Sequence, residues 1–317
     1  MPRKPPPEYL PVVATAPVTW SEELFADAGR GIRLCYQTVG EASDPPLVLI
    51  SGVGSQMVNW PEGFCEGLAR RGFRVIRFDN RDCGRSTSLD DLGVPSLTKA
   101  WNRELEDPPY LLSDMAADCA GLLDALGHEA AHVVGMSLGG FVAQTLAIEH
   151  PERVLSLASV MSSTGSGKVG QATPEAMEAL LNKPPDDPDG YADALVSARK
   201  VIGSPGFEMD EELVRTLALR AYERGLNPDG TQRQLVASIC SGSRSRRLGE
   251  ITAPTLVLHG TADPLIDVSG GRATAEAIPG AELVLIDGWG HDLPPALWER
   301  IADEIASNAA RAGGVER

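Results

Sequence analysis

Apolar residues recur along the chain in short, nearly continuous runs, each followed by a stretch where they return at helical spacing. Pro46–Ser51 (PLVLIS), Phe73–Asp79 (FRVIRFD), Ala131–Val134, Val154–Met161 (VLSLASVM), Thr255–His259 (TLVLH) and Glu282–Ile286 (ELVLI) have the length and aliphatic content of strands buried on both faces. Phe64–Arg71, Asp114–Gly127, Phe141–Ile148, Ala273–Ile278 and Pro295–Ser307 read as helices between or after them. Near the start, Ser21–Asp27 and Gly31–Thr38 flank an Ala28-Gly29-Arg30 turn and predict a hairpin at a sheet edge. Strands alternating with helices predict an α/β fold, a mostly parallel central sheet with helices on both faces. In such a sheet the site lies beyond the carboxyl ends of the strands.

One stretch breaks the alternation. Residues 162–248 carry no convincing strand, and their periodic pieces are helical: Pro174–Leu181, Tyr191–Ile202, Glu211–Gly225 and Thr231–Cys240. Proline- and glycine-rich punctuation at residues 184–190 and 203–206 separates them. The expected organisation is an N-terminal arm (1–20), an α/β core in two pieces (21–161 and 249–317) and an inserted helical cap (162–248). Met177, Leu180, Leu181, Tyr191, Leu213, Leu217 and Tyr222 give the cap apolar surface, expected to pack helix on helix before it touches ligand.

Composition narrows the classes. A chain of 317 residues with 43% hydrophobic and 23% charged residues suits a globular protein with a real core. A net charge of −16 argues against nucleic acid and anionic membranes as partners. Five scattered cysteines without C-x-x-C spacing fit reduced thiols in a cytoplasm rather than disulfides or a zinc site. The proline-broken N-terminus has no signal-peptide core, and no apolar run is long enough to span a membrane. Neither metal nor cofactor is expected, and a homodimer is compatible with the sequence.

The chemistry centres on Gly135-Met136-Ser137-Leu138-Gly139, a G-x-S-x-G between a strand and a helix. A serine at such a corner is held in strained geometry that exposes its hydroxyl, and the glycines give steric clearance. The Ser137 hydroxyl needs a base, and the base needs an orienting acid. Of five histidines, only His291 follows a strand on a loop, after Asp287-Gly288-Trp289-Gly290; Trp289 can pack beneath its ring. Asp263 stands just past the strand Thr255–His259 and is the candidate acid, ahead of Asp267, Asp287 and Asp292. Leu138 N–H and Val53 N–H, the latter in Ser51-Gly52-Val53-Gly54 after a strand, are the candidate oxyanion donors. Trp60, Met136 and Trp289 are candidate substrate contacts, with packing in the core as their competing role. Two look-alikes fail. Met57 stands where a dinucleotide loop needs glycine, and Gly165-Ser166-Gly167-Lys168 lacks the outer residues of a phosphate loop.

The order Ser137, Asp263, His291 with this G-x-S-x-G resembles the α/β-hydrolase fold superfamily over about residues 22–309. The stretch 78–87 looks like the family's loop after its fourth strand, where many members have glycine at the position of Asp82. Asp82, Trp60-Pro61 and Gly290-His291 are similar to the aclacinomycin methylesterase branch, which cleaves a methyl ester on a polyketide. Ser51-Gly52 stands where many members have His-Gly. The resemblance implies a serine esterase working through an acyl-enzyme on a small-to-medium, largely apolar ester. A cofactor-free perhydrolase or haloperoxidase on the same residues, and a non-catalytic ligand-binding member of the fold, are the alternatives.

Overall fold

The strand runs pair into one sheet. In the computed structural model, which describes residues 18–313, the strands are β1 (Leu24–Asp27), β2 (Arg33–Val39), β3 (Pro46–Ile50), β4 (Arg74–Phe78), β5 (Ala131–Met136), β6 (Val154–Val160), β7 (Thr255–Gly260) and β8 (Glu282–Ile286). Their spatial order is β1-β2-β4-β3-β5-β6-β7-β8. The β1–β2 and β2–β4 pairs are antiparallel, and every pair from β4 to β8 is parallel. The helices are α1 (Glu62–Ala69), α2 (Leu97–Trp101), α3 (Leu112–Ala125), α4 (Leu138–Glu149), α5 (Pro174–Leu181), α6 (Pro188–Ile202), α7 (Glu211–Arg224), α8 (Pro228–Cys240), α9 (Ser269–Ala277) and α10 (Trp298–Ala312). Residues 1–17, most of the expected arm, lie outside the described residues; Trp20 bridges to Val39.

Both faces of the sheet are buried, which is why its strands lack polar alternation. On β3, Val48 and Ile50 join one core with α3 and α4, while Leu47 and Leu49 join another with α1 and α10. The same period of two divides Val133 from Val134 on β5. Each fully buried Leu, Ile or Phe contributes about 1.5–3 kcal/mol. A one-residue slip of any central strand would exchange the two cores.

The helix after the serine begins at Leu138, three residues before the expected Phe141. Gly139 and Gly140 read as turn residues, but they are helical and glycine for packing reasons. A Cβ on Gly139 would lie 2.0 Å from the Ile50 carbonyl oxygen, and one on Gly140 would lie 2.5 Å from Ser162 Cβ. The helix therefore sits against the carboxyl ends of β3 and β6 more closely than any side chain permits. The final helix differs too: Pro295–Leu297 forms a 3-10 turn, and the α-helix runs Trp298–Ala312.

Between β6 and β7 the chain carries α5 to α8 and no strand among the described residues. Three of these helices start at a proline: Pro174, Pro188 and Pro228 follow Thr173, Asp187 and Asn227, whose side chains accept the capping N–H groups. Among the described residues no helix is long and apolar enough to cross a membrane.

Candidate active site

A cavity of about 1100 Å3 opens above the carboxyl ends of β3, β5 and β7. Gly52, Val53, Met136, Ser137, Leu265 and His291 line it from the sheet side, and residues of α5, α6 and α8 line it from above.

Ser137 stands between β5 and α4 with φ 57° and ψ −120°, a region that costs a non-glycine residue about 1–3 kcal/mol. Its surroundings hold it there. Ser137 N–H donates to Val160 O at 3.0 Å, and its carbonyl accepts from Gly140 N–H at 2.9 Å and Ser162 Oγ at 2.9 Å. Gly135 is required because a Cβ there would lie 2.1 Å from Gly139 O. Gly52 passes so near that its Cβ would lie 3.4 Å from Ser137 Cβ.

Asp263 and His291 meet at 2.7 Å, Oδ2 to Nδ1, although 28 residues separate them in sequence. The carboxylate can only accept, so Nδ1 carries the proton and Nε2 is left as the basic nitrogen. Asp263 is 5% exposed and His291 6% exposed, so solvent competes little for this bond. The other oxygen, Oδ1, accepts the N–H groups of Leu265 at 2.9 Å and Ile266 at 2.8 Å. His291 is anchored by its backbone: its N–H donates to Ile202 O at 2.7 Å, and its carbonyl accepts from Arg199 Nη1 at 2.9 Å. Ser137 and His291 face the same cavity, but no hydrogen bond joins them.

Asp267, Asp287 and Asp292, the lesser candidates, are spent elsewhere. Asp267 caps the Ser269 N–H, Asp287 accepts from Thr261 Oγ1, and Asp292 accepts from Ser204 Oγ. His259 lies beneath Asp263, with Nε2 3.6 Å from Oδ2 and 2.8 Å from Ile266 O, to which it donates. Burial holds this imidazole below its ordinary value.

The Val53 and Leu138 N–H groups donate to no protein acceptor among the described residues, and both residues lie beside Ser137 in the fold. Met136 lines the cavity. Two expected substrate contacts are corrected. Trp60 is 2% exposed and stacks on Phe64 with ring centroids 5.7 Å apart, and its carbonyl accepts from Arg77 Nη1 at 2.6 Å. Trp289 is fully buried, and its indole N–H donates to Asp292 O at 2.8 Å. Neither borders the cavity; both side chains pack instead into the core that α1 and α10 share with the sheet. Conversely Leu180, Leu181 and Tyr191, expected between helices, border the cavity.

The loop after β4 supports the site from below. Asp79 is buried and its carboxylate accepts Met57 N–H at 2.7 Å and Arg85 N–H at 3.0 Å; it also pairs with Arg224 of α7. Burial pushes Asp79 up to about 6, against the pull of those N–H groups. Asp82 adopts φ 64°, which explains why glycine suits this position, and its carboxylate takes both Nε (2.8 Å) and Nη2 (2.7 Å) of Arg233 on α8. Sequence reasoning missed Arg224, Arg233 and Gln234. A lone cation or amide on a helix carries no sign in sequence that its partner waits on a distant loop.

Residues 45–294 match the family model described as alpha/beta hydrolase fold. The chain is 31% identical over 301 residues to the rhodomycin D methylesterase DauP of Streptomyces sp. (strain C5), covering 89% of this chain and 96% of that protein. It is 30% identical, with the same coverage, to the rhodomycin D methylesterase DnrP of Streptomyces peucetius. Among solved structures, the 2-hydroxy-6-oxo-6-phenylhexa-2,4-dienoate hydrolase of Rhodococcus sp. strain RHA1 superposes with a TM-score of 0.69. That likeness, at 22% identity over 94% of this chain and 99% of the other, is one of fold.

Proposed function

The chain belongs to the alpha/beta hydrolase fold family and is a carboxylic ester hydrolase, and from that premise we propose that it works through an acyl-enzyme on Ser137. His291 Nε2 takes the proton of the Ser137 hydroxyl as Oγ attacks the ester carbonyl. Asp263 keeps Nδ1 protonated and balances the imidazolium that forms. The oxyanion is received by the Leu138 and Val53 N–H groups, whose loss typically costs on the order of 10²–10³ in kcat per donor. Collapse passes the proton from His291 to the leaving alcohol, and a water activated by the same nitrogen releases the acid. The Asp263–His291 bond, facing the cavity that also receives the strained Ser137, carries this reading. A Ser137–His291 hydrogen bond, absent in the structure, then forms on substrate binding, as catalytic contacts commonly do.

The same reading makes α5 to α8 a cap that selects substrate. The cavity has room for an ester larger than the small-to-medium apolar compound expected from sequence. A cavity of about 1100 Å3 lies at or above the upper end of ordinary ligand pockets, roughly 300–1,000 Å3. Its wall mixes Leu180, Leu181 and Tyr191 with Asn227, Gln232 and Arg199, so a bulky acyl group bearing polar substituents fits it. The two methylesterase relatives favour a methyl ester, a small alcohol on a large acid.

Ser137→Ala tests the mechanism on p-nitrophenyl acetate and butyrate, with methanol release from bulky methyl esters testing substrate class. Loss of at least about 10³-fold in kcat is expected. Activity within about tenfold of the unmodified enzyme would reject Ser137 as nucleophile.

A further inference from the structure

The loop proposed to supply one oxyanion donor is gripped from outside the sheet. Gly52 O accepts Ser55 N–H at 3.2 Å, closing a four-residue turn. In the trans peptide Gly52–Val53 the carbonyl and the N–H point in opposite directions, so this bond turns the Val53 N–H away from Ser55. The turn alone would be loosely held, because the Gly54 N–H has no partner within it. Gln234 of α8 supplies that partner: its Oε1 accepts Gly54 N–H at 2.8 Å, while its Nε2 donates to Arg81 O at 2.8 Å. The side chain is fully buried, and with one donor and one acceptor engaged the amide has a single orientation. Thr231, one helical turn earlier, lies against the same loop, where a Cβ on Gly54 would come within 2.7 Å of its Oγ1. At the other end Asn80 Nδ2 donates to Ser51 O at 3.1 Å.

We propose that Gln234 is a positioning residue that aims the Val53 N–H at the ester oxygen by holding the Gly52–Ser55 turn against the loop after β4. Oxyanion stabilisation then depends on α8, so the helical segment contributes to the chemical step as well as to substrate choice. This rests on Ser137 acting as the nucleophile.

The test compares Gln234→Leu with the unmodified enzyme on p-nitrophenyl butyrate, alongside affinity for a butyl trifluoromethyl ketone, whose hemiketal oxyanion occupies the same donors. Expected are a fall in kcat on the order of 10- to 100-fold, a KM within about threefold, and a parallel loss of ketone affinity. A kcat within about threefold, or a fall in kcat with ketone affinity unchanged, would overturn the assignment. Should Gln234→Leu not fold, Gln234→Met, unbranched and of matching length, repeats the comparison. Failure of both to fold would leave Gln234 a structural residue only and overturn the proposal. Ser137→Ala, run in parallel, separates the two readings: if it stays active both fall, and if it is inactive while Gln234→Leu is unimpaired, only this one falls.

Discussion

The two oxygens of Asp263 have separate duties. Oδ1 is committed to two backbone N–H groups and fixes the carboxylate, while Oδ2 faces Nδ1 of His291. Asp263→Asn therefore keeps the first duty and reverses the second, because an amide NH2 facing Nδ1 demands the other tautomer. A fall in kcat of about 10³–10⁴ with little change in melting temperature is expected, read from initial rates and thermal melts on the same sample. Equal activity would remove Asp263 from the mechanism. At this scale the sequence was informative wherever chemistry restricts residue type and place: a serine between glycines, a histidine on a loop after a strand, an aspartate at a strand end. It was uninformative for Trp60 and Trp289, since the direction of a side chain near a site depends on backbone path, which neighbours in sequence do not reveal.

Among elements, α8 is tied to the loops below the cavity by buried polar contacts. Arg233 and Asp82 have fully buried side chains, and Arg233 Nη2 also reaches Asp90 at 2.6 Å. A buried pair of this kind is costly to break and inexpensive to replace whole. Arg233→Met should lower the unfolding free energy by about 3–5 kcal/mol, because it leaves the Asp82 charge buried without its partner. Adding Asp82→Gly removes that charge and suits φ 64°, so the double variant should regain most of the loss in urea unfolding. A double variant no more stable than Arg233→Met would show that the pair is not the source of the effect. The helices themselves were legible from spacing, but α6 and α8 begin three residues before their expected starts. Proline at the first helical position marks a beginning where a helix-breaking reading places a boundary. The ties between α8 and the core were illegible, because a long-range ion pair leaves no periodic trace.

At the scale of the whole molecule, stability depends on pH through groups far from the cavity mouth as well as near it. Burial holds His132, bonded to Ser156 Oγ at 2.8 Å, and His259 below the ordinary histidine value of 6.5. Both stay neutral when folded and take protons readily when unfolded, so their contribution is complete above pH 6.5 and is lost as pH falls through their folded values. Asp79 works in the opposite direction. Held up to about 6 against an ordinary 3.8, it binds its proton more tightly when folded and adds stability as pH falls from 6 towards 4. Melting temperature should therefore decline between pH 7 and 6 and decline less steeply below. His132→Gln should flatten the upper part of the curve; an unchanged slope in that variant would exclude His132 as a source. The overall architecture was legible, since alternating buried strands and helices leave few topologies open.

The order of the elements along the chain has a consequence in time. The strand-end loop carrying Val53 and the turn carrying Ser137 precede α5 to α8 in the chain, whereas Asp263 and His291 follow them. In the proposed chemistry a ribosome-bound chain carries the Ser137 hydroxyl long before the His291 imidazole that activates it has been made. The unfinished polypeptide is then inert towards cellular esters, and activity begins only when the last strand and its histidine loop dock beside β7.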